Sequence, residues 1–274
     1  MKLLVISGSR ADAGILEWPV HVLSGDNYFT VKILDIWNHG VETAHIETRA
    51  EFDRFRPDMV MVLGDRYEVL SAALAAHLNR IPIAHVGGGD VTQGSYDDAM
   101  RDCISRMASV HFCCSGPAFH RLLGLGYSNV HMVGSPGVDY IIHAADQWKR
   151  ERPIAESYVV VSYQAETIDD TVDLDAVNKA VAGRKAIWIT PNLDRGNDRI
   201  PKGTTYSHAE FLNLLYHCEE FIGNSSAIFY EAPFLKPGGV PCKLIGKRQN
   251  GRMVPFADGL ASERMRDILK GFRP

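Results

Sequence analysis

Polar and charged side chains follow almost every short apolar run of this sequence. The runs are rich in Val, Ile, Leu and Met, and the loops after them carry carboxylates, guanidinium groups, amides and hydroxyls. These loops are residues 7–12, 64–68, 85–90, 163–167, 191–194 and 223–226. Any one of them is more often a turn than a site, but six together favour one ligand site.

The segment Gly223-Asn224-Ser225-Ser226 is the loop best suited to an anion. It closes an apolar run and opens a helical pattern, where free backbone N–H groups, the helix dipole and two hydroxyls would bind phosphate. A Ser N-cap is the alternative interpretation. Glu231 follows one and a half turns later, where its carboxylate would accept from ribose hydroxyls or simply be solvated.

Two further groups of charged residues suit either an anionic ligand or an ion pair. Lys247, Arg248 and Arg252 follow the last apolar run, where they would neutralise a diphosphate or form an ordinary charged surface. Asp97 and Arg101 are four residues apart and therefore share one helix face. A plain helix salt bridge is the alternative for that pair.

The apolar runs that precede these loops predict strands buried on both faces of a parallel sheet. The strands expected in the first half are 2–7, 31–37, 58–64, 81–86, 110–114 and 129–133. Helical patterns over 66–79 and 95–109 lie between them, and the first of these is apolar nearly all round.

A second series of strands and helices follows the charged segment 146–156. Its strands are predicted at 158–163, 186–192, 220–223 and 243–246, and its helices at 173–182, 208–217, 227–235 and 261–272. Two such series predict an α/β protein with two doubly wound, Rossmann-like halves, residues 1–150 and 151–274, facing each other across a central cleft.

Composition narrows the classes of function. Hydrophobic residues make up 46% and charged residues 23% of the 274-residue chain, which excludes a disordered chain. The 29 basic and 33 acidic residues give a net charge of −4, which argues against nucleic acid as the default partner, although a local basic groove would escape that count.

The sequence also leads to expectations about membrane spans, metal sites and the cellular compartment. Every apolar run is strand-sized, so we expect no membrane span and no secretory leader. The five cysteines form no CxxC pair and the eleven histidines no HExxH motif, so we expect no metal site. Reduced cysteines predict a cytoplasmic protein.

In its motifs the chain resembles the UDP-N-acetylglucosamine 2-epimerases, particularly their hydrolysing branch. The matching segments occur in family order and span residues 9 to 252. They are Ser9-Arg10-Ala11-Asp12, Gly64-Asp65-Arg66-Tyr67-Glu68, Asp97-Asp98-Ala99-Met100-Arg101, Pro191-Asn192-Leu193-Asp194, Gly223-Asn224-Ser225-Ser226 with Glu231-Ala232, and Ile245-Gly246-Lys247-Arg248-Gln249-Asn250-Gly251-Arg252. The resemblance implies a GT-B-like fold whose final helix crosses back onto the first half.

The resemblance also implies roles for single residues. Asp65 matches a catalytic carboxylate, and Asp97 with Arg101 match a pair that lines the sugar site. The residues that match the UDP-binding set are Arg10, Arg66, Ser225, Ser226, Glu231 and Arg248, with Asn192 in the nucleotide-side loop. The family implies no cofactor, a UDP-sugar as ligand, and a homo-oligomer, either a dimer or a tetramer.

The implied reaction removes the weakly acidic C2 proton of the sugar while UDP leaves from C1. The chain departs from the family at two positions of that chemistry. Gly87 stands where a titratable side chain is expected, so Asp90 or His85 would have to substitute for it. Gln164 stands at the histidine position, where it can hydrogen-bond a phosphate but cannot transfer a proton. The chain is also shorter than usual for the family, with the loss between Arg10 and Asp65.

Three functions remain open from the sequence. The first is a hydrolysing 2-epimerase that uses Asp65 with Asp90, Asp97 or Glu166 in rearranged roles. The second is a GT-B glycosyltransferase that keeps the UDP-sugar site and uses Asp65 or Asp97 as base. The third is a nucleotide-sugar-binding protein without activity. Fold resemblance alone does not choose among them, because function depends on the geometry of the site.

Overall fold

The computed structural model describes residues 1–37, 39–92, 94–192 and 194–273. Contacts between residues divide the chain into two compact units. Unit 1 comprises Met1–Val91, Asp97–Tyr140 and Pro255–Pro274, and unit 2 comprises Thr92–Tyr96 and Ile141–Val254. The division into domains at residue 150 that the sequence predicts stays a prediction. Leu193 of the Pro-Asn-Leu-Asp motif lies outside the described residues.

Unit 1 is built on a six-stranded parallel sheet with the order β2-β1-β3-β4-β5-β6. Its strands are β1 (Lys2–Ser7), β2 (Thr30–Asp35), β3 (Met59–Leu63), β4 (Ile83–Val86), β5 (Val110–Cys113) and β6 (Val130–Met132). After β1 the chain adds β2 on one side of that strand, and from β3 onward it adds every strand on the other side. The topological switch point, where such sheets bind ligands, therefore lies between β1 and β3.

Helices cover both faces of this sheet. They are α1 (Arg10–Ser24), α2 (Val41–Phe55), α3 (Tyr67–Leu78), α4 (Asp97–Met107), α5 (Gly116–Gly124), α6 (Pro136–His143) and the final α11 (Ala261–Gly271). Leu3 and Val5 of β1 pack into one core with α1 and α11, whereas Leu4 and Ile6 pack into the other core with α2 and α3. Alternate strand residues thus enter opposite cores, as the period of two requires.

Unit 2 is a smaller four-stranded parallel sheet with the order β10-β9-β7-β8. Its strands are β7 (Val159–Ser162), β8 (Ala186–Trp188), β9 (Phe221–Gly223) and β10 (Cys242–Leu244), and its helices are α7 (Ala145–Trp148), α8 (Leu174–Val181), α9 (His208–His217) and α10 (Ala227–Tyr230). The switch point of this unit lies between β7 and β9. Short 3-10 helices cover Asn197–Arg199 and Ala232–Phe234.

Each strand that the sequence predicts has its counterpart in the structure, but two expectations about the elements are wrong. The four strands that form the sheet edges, β2, β6, β8 and β10, are not buried on both faces, and β2 exposes 48% of Ile33. The predicted helix over 227–235 ends at Tyr230, and a 3-10 helix replaces its second part. Pro233 has no N–H to donate and its ring clashes with the carbonyl four residues earlier, so an α-helix cannot continue there.

Among the helices in the described part of the chain, none combines the length and the apolar character that a membrane span requires.

Candidate active site

The switch point of unit 1 brings together loops that the sequence marks as functional. Ser7 ends β1, and Ser9 caps α1 by accepting from the backbone N–H of Asp12 at 3.2 Å, which places Arg10 at the first residue of that helix. Leu63 ends the neighbouring strand β3, and Asp65 follows in the next loop. Arg10 and Asp65 therefore follow adjacent strands at the same edge of the sheet.

Arg101 is the centre of the carboxylate cluster in this unit. Its side chain is only 1% exposed, and its guanidinium group donates to the carboxylates of Asp65 and Asp98 and, at 2.8 Å, to the backbone oxygen of Asp90. A buried guanidinium group needs such charge compensation, because it has lost its hydration. Arg101 thus connects the loop after β3, the loop after β4 and the first turn of α4.

The structure connects three of the four predicted catalytic residues, Asp65, Asp90 and Arg101, through the bonds of Arg101. Asp97 begins α4, and Asp90 lies in the loop after β4, where it is 9% exposed and accepts from the hydroxyl of Ser115 at 3.4 Å. Asp98 is a member that sequence reasoning missed. The adjacent acidic pair was visible, but only the helix geometry shows Asp98 pairing with Arg101 across one turn.

His85, the alternative to Asp90 as the acid, has both ring nitrogens engaged inside the protein. Nδ1 lies 3.0 Å from the Ser105 hydroxyl and Nε2 lies 2.8 Å from the Gly64 oxygen. Burial lowers the pKa of His85 to about 4, so the ring is neutral near pH 7. This arrangement fixes the backbone just before Asp65 and favours Asp90 for the proton-transfer role.

Gly87 adopts a φ of +79°, which residues with a Cβ rarely adopt. The departure from the family at this position is therefore matched by a backbone that favours glycine. Asp90, three residues further on, keeps a carboxylate in the same loop.

A second charge group in unit 1 surrounds Arg66. The Nε and Nη2 atoms of Arg66 donate to the two carboxylate oxygens of Glu68 at 3.2 and 2.9 Å, and Glu68 is 1% exposed. Asp12 faces the same pair, and burial raises its pKa to about 6, with the charge of Arg66 opposing that rise and the charge of Glu68 adding to it. The motif contains Glu68, but its burial and its two bonds could not be predicted from the sequence.

The switch point of unit 2 is joined by a reciprocal pair of hydrogen bonds. The Asn224 side chain accepts from the backbone N–H of Gln164 and donates to the backbone oxygen of Gln164, both at 2.8 Å. Gly223 lets the two strands come this close, because a Cβ there would lie 1.9 Å from the Ser162 oxygen. Asn224 is fully buried and was missed as a site residue, although it belongs to a recognised motif.

Gln164 and Arg248 make their contacts within the loops of unit 2. The side-chain oxygen of Gln164 accepts from the backbone N–H of Asn192 at 3.0 Å. Arg248 donates to the Ala165 oxygen at 2.9 Å and to the Asp194 carboxylate at 2.8 Å. Three predicted binding residues are therefore brought into one network by the loops after β7, β8 and β10.

The anion site that the sequence predicts at Ser225, Ser226 and Glu231 differs in part from the structure. Helix α10 has only four residues, so its dipole contributes little to anion binding, and Ser226 makes no side-chain cap. The Ser225 hydroxyl accepts from the backbone N–H of Ala227 at 3.3 Å. Glu231 is 8% exposed, its Oε2 has no hydrogen-bond partner among the described residues, and burial raises its pKa to about 7.

A neighbouring acceptor in unit 2 is Glu166, which is 8% exposed. Its Oε1 accepts from the backbone N–H of Lys247 at 2.8 Å, whereas its Oε2 has no partner among the residues that the structure describes. Buried acceptors without donors are costly, so Glu166 and Glu231 suit a ligand that brings hydroxyl or N–H groups.

Thr92 and Ser95, which lie between Asp90 and Asp97 along the chain, make contacts inside unit 2. The Thr167 hydroxyl donates to the Ser95 hydroxyl at 2.8 Å, and Arg252 donates to the Thr92 hydroxyl at 2.7 Å. Thr167 and Arg252 therefore have structural contacts that the sequence did not predict.

The comparisons with known proteins identify the family of the chain. The family model described as UDP-N-acetylglucosamine 2-epimerase matches residues 38–272. The chain belongs to this family. Two similar curated proteins are the Polysialic acid biosynthesis protein P7 of Escherichia coli, 28% identical over 92% of this chain and 80% of its own length, and the GDP/UDP-N,N'-diacetylbacillosamine 2-epimerase (hydrolyzing) of Campylobacter jejuni, 30% identical over 74% of this chain. The chain spans 59% of the length of the second.

Among solved structures, the UDP-GlcNAc 2-epimerase from Methanocaldococcus jannaschii in complex with UDP-GlcNAc and UDP has a TM-score of 0.81 to this chain. It is 19% identical, and the match covers 99% of this chain and 100% of that one. The predicted fold class is confirmed: the protein is α/β and GT-B-like, with two Rossmann-like units.

Proposed function

We propose that this member of the family is a hydrolysing UDP-N-acetylglucosamine 2-epimerase that releases UDP and an N-acetylmannosamine-type sugar. The observation that carries the proposal is the cluster around Arg101, which holds the Asp65 carboxylate directly after β3. The relative from Campylobacter jejuni that is named a hydrolysing 2-epimerase supports the choice of branch.

The proposed reaction has an elimination step and an addition step. A carboxylate takes the C2 proton, the electrons of the C2–H bond form the C1=C2 bond of a glycal, and UDP leaves with the electrons of the C1–O bond. Water then adds its hydroxyl group to C1, and an acid delivers a proton to C2 from the opposite face. The sum converts UDP-N-acetylglucosamine and water into UDP and N-acetylmannosamine.

Unit 1 supplies the proton-transfer groups in this proposal. Asp65 is the base, because its pairing with Arg101 fixes the carboxylate after β3. Asp90 is the acid for reprotonation, since its carboxyl group is buried and its backbone oxygen accepts from Arg101. Asp97 lines the sugar site from the first turn of α4.

In each unit, the proposal keeps the UDP-binding roles that the resemblance implies. In unit 1, Arg10 and Arg66 have the positive charge that suits a diphosphate, and in unit 2, Arg248, Ser225 and Ser226 have N–H and O–H groups that suit phosphate oxygens. Glu231 would accept from hydroxyl groups, and the side-chain amide of Gln164 would donate to phosphate oxygens. The homo-oligomeric state that the resemblance implies stays a prediction.

The proposal is tested by incubating the protein with UDP-N-acetylglucosamine in D₂O and following the sugar by NMR. The expected product is free N-acetylmannosamine with deuterium at C2. Deuterium in a sugar that is still linked to UDP would contradict hydrolysis and indicate a non-hydrolysing epimerase. An unchanged C2 proton together with saturable UDP binding would exclude both epimerase activities and favour a glycosyltransferase or a binding protein.

A further inference from the structure

Asn197 is a buried residue of unit 2 whose side-chain amide bonds to the loops after β7 and β8. It begins the short 3-10 helix Asn197–Arg199 and is 4% exposed. Its side-chain oxygen accepts from the backbone N–H of Ala165 at 2.6 Å. Its nitrogen donates to the Gln164 side-chain oxygen at 2.7 Å, to the Asn192 backbone oxygen at 3.2 Å and to the Asn192 side-chain oxygen.

These contacts close a ring of hydrogen bonds through two predicted UDP-binding residues. Asn197 holds the Ala165 peptide group, and the oxygen of Ala165 accepts from Arg248 at 2.9 Å. Arg248 donates to the Asp194 carboxylate at 2.8 Å, which also accepts from the Asn192 side chain at 2.7 Å. Asn192 in turn accepts from Asn197, so the ring returns to its starting residue.

We infer that Asn197 is a positioning residue for the UDP-sugar site, which holds Gln164, Asn192 and Arg248 in a binding-competent arrangement before the ligand arrives. The inference rests on the proposed function for the identity of the ligand. Asn197 itself acts through its neighbours, and we assign it no contact with the substrate.

Among the described residues, only the Asn197 side chain accepts from the Ala165 N–H. If the amide is removed, the Ala165 N–H loses its acceptor and the Gln164 oxygen loses one of its two donors, in a place where the Asp194 and Arg248 side chains are only 9% and 11% exposed. Unpaired buried polar groups are costly, so the loops rearrange instead. Ligand binding must then restore their order, which weakens affinity.

The Asn192 amide cannot simply turn over to compensate. Its nitrogen donates to the Asp194 carboxylate, and its oxygen accepts from the backbone N–H of Asp194 at 3.0 Å. A flip would place the nitrogen against the N–H and the oxygen against the carboxylate. The orientation of Asn192 is therefore set on one side by Asp194, which leaves its oxygen to accept from Asn197.

The test uses Asn197→Ala and the isosteric Asn197→Asp, which keeps the shape and the acceptor but cannot donate. The matched control is Asn213→Ala, because Asn213 is also a buried amide of unit 2 (8% exposed) that donates to a backbone oxygen, that of Glu151, at 3.3 Å. Calorimetric titration with UDP measures affinity, thermal unfolding measures stability, and NMR measures hydrogen exchange of the Asp194 N–H, which Asn197 does not contact directly.

We expect both Asn197 variants to raise the Kd for UDP by about tenfold, which corresponds to about 1.4 kcal/mol. They should also accelerate Asp194 exchange, whereas Asn213→Ala lowers the unfolding temperature and changes neither quantity. Unchanged UDP affinity in the Asn197 variants, or an equal loss in the Asn213 variant, would overturn the inference. If Asn197→Ala does not fold, Asn197→Asp decides the outcome.

Failure of the proposed function gives a different result. A wild-type protein that does not bind UDP would contradict the proposed ligand, and the exchange measurement would then decide on the ring alone. In that case faster Asp194 exchange in both Asn197 variants supports the positioning role, and unchanged exchange overturns it.

Discussion

The two units place different kinds of polar group at the carboxyl ends of their strands. In unit 1 the groups are charged: Asp65 and Asp98 compensate a buried Arg101, and Glu68 compensates Arg66. In unit 2 side-chain amides bond to backbone groups and to one another, beside an ion pair and two buried glutamates. Carboxylates can exchange protons near neutral pH, whereas amides cannot. In our proposal, unit 1 therefore carries out proton transfer and the amides of unit 2 position the ligand.

The largest expected effect comes from removing the proposed base. Asp65→Asn should lower the rate of C2–H exchange by about a thousandfold or more, because the amide cannot take the proton, while the Kd for UDP stays within about threefold. Exchange in D₂O and calorimetric titration measure the two quantities. The control is Asp102→Asn, which removes a bidentate ion pair to Arg121 elsewhere in α4 and should leave exchange intact. Full turnover in the Asp65 variant would disprove the base assignment.

Glu231 is a buried carboxyl group of unit 2, and burial raises its pKa to about 7 from a usual value of 4.5. Between these pH values the folded protein holds more protons than the unfolded chain, so the stability of the wild type falls as the pH rises. Glu231→Gln does not titrate there and should gain about 3 kcal/mol relative to the wild type between pH 4.5 and 8. Chemical unfolding at the two pH values measures the gain.

The control for Glu231 is Glu210, whose pKa is lowered by its hydrogen bonds to Ser207. The charged form of Glu210 stabilises the fold above the pKa of the unfolded chain, and this stability is lost at low pH. Because glutamine does not titrate, Glu210→Gln should lose stability relative to the wild type as the pH rises. A stability difference for Glu231→Gln that does not change with pH would show that its carboxyl group titrates normally.

A smaller effect is expected for a substitution of Glu68. The loss of its charge and the loss of its hydrogen bonds to Arg66 predict opposite changes in UDP affinity. Glu68→Gln removes a negative charge beside Arg66, which by electrostatics alone would tighten UDP binding. We expect the Kd to rise by about tenfold instead, because the two bonds that hold the guanidinium group are weakened. Glu51→Gln, at a buried glutamate paired with Lys32, is the matched control. Tighter binding in the Glu68 variant would show that Arg66 does not need this partner.

Much of the fold could be predicted from local sequence patterns. Apolar runs marked the strands because strands inside a parallel sheet are buried on both faces, and the polar loops after them marked the functional edge. The end of α10 was missed although Pro233 was a visible signal. The exposure of β2 was missed because its position at the edge depends on the order of the whole sheet.

The candidate site was predictable only where a motif carries its own chemistry. Asp65, Arg66 and Arg101 stand in such motifs. Asn197 does not, because its partner Ala165 is 32 residues away and is reached only when the loops after β7 and β8 come together. Long-range hydrogen bonds of this kind leave no spacing in the sequence that periodicity could detect.

The measurement that tests the division of roles most directly is C2–H exchange in D₂O by Gln164→Ala at saturating UDP-N-acetylglucosamine. The motif resemblance matches Gln164 to a histidine of the family, and the side-chain oxygen of Gln164 accepts from Asn192 and Asn197. Our account predicts that the variant still exchanges the C2 proton, within about tenfold of the wild-type rate, and that its KM rises. A loss of exchange as large as that of Asp65→Asn would contradict the account.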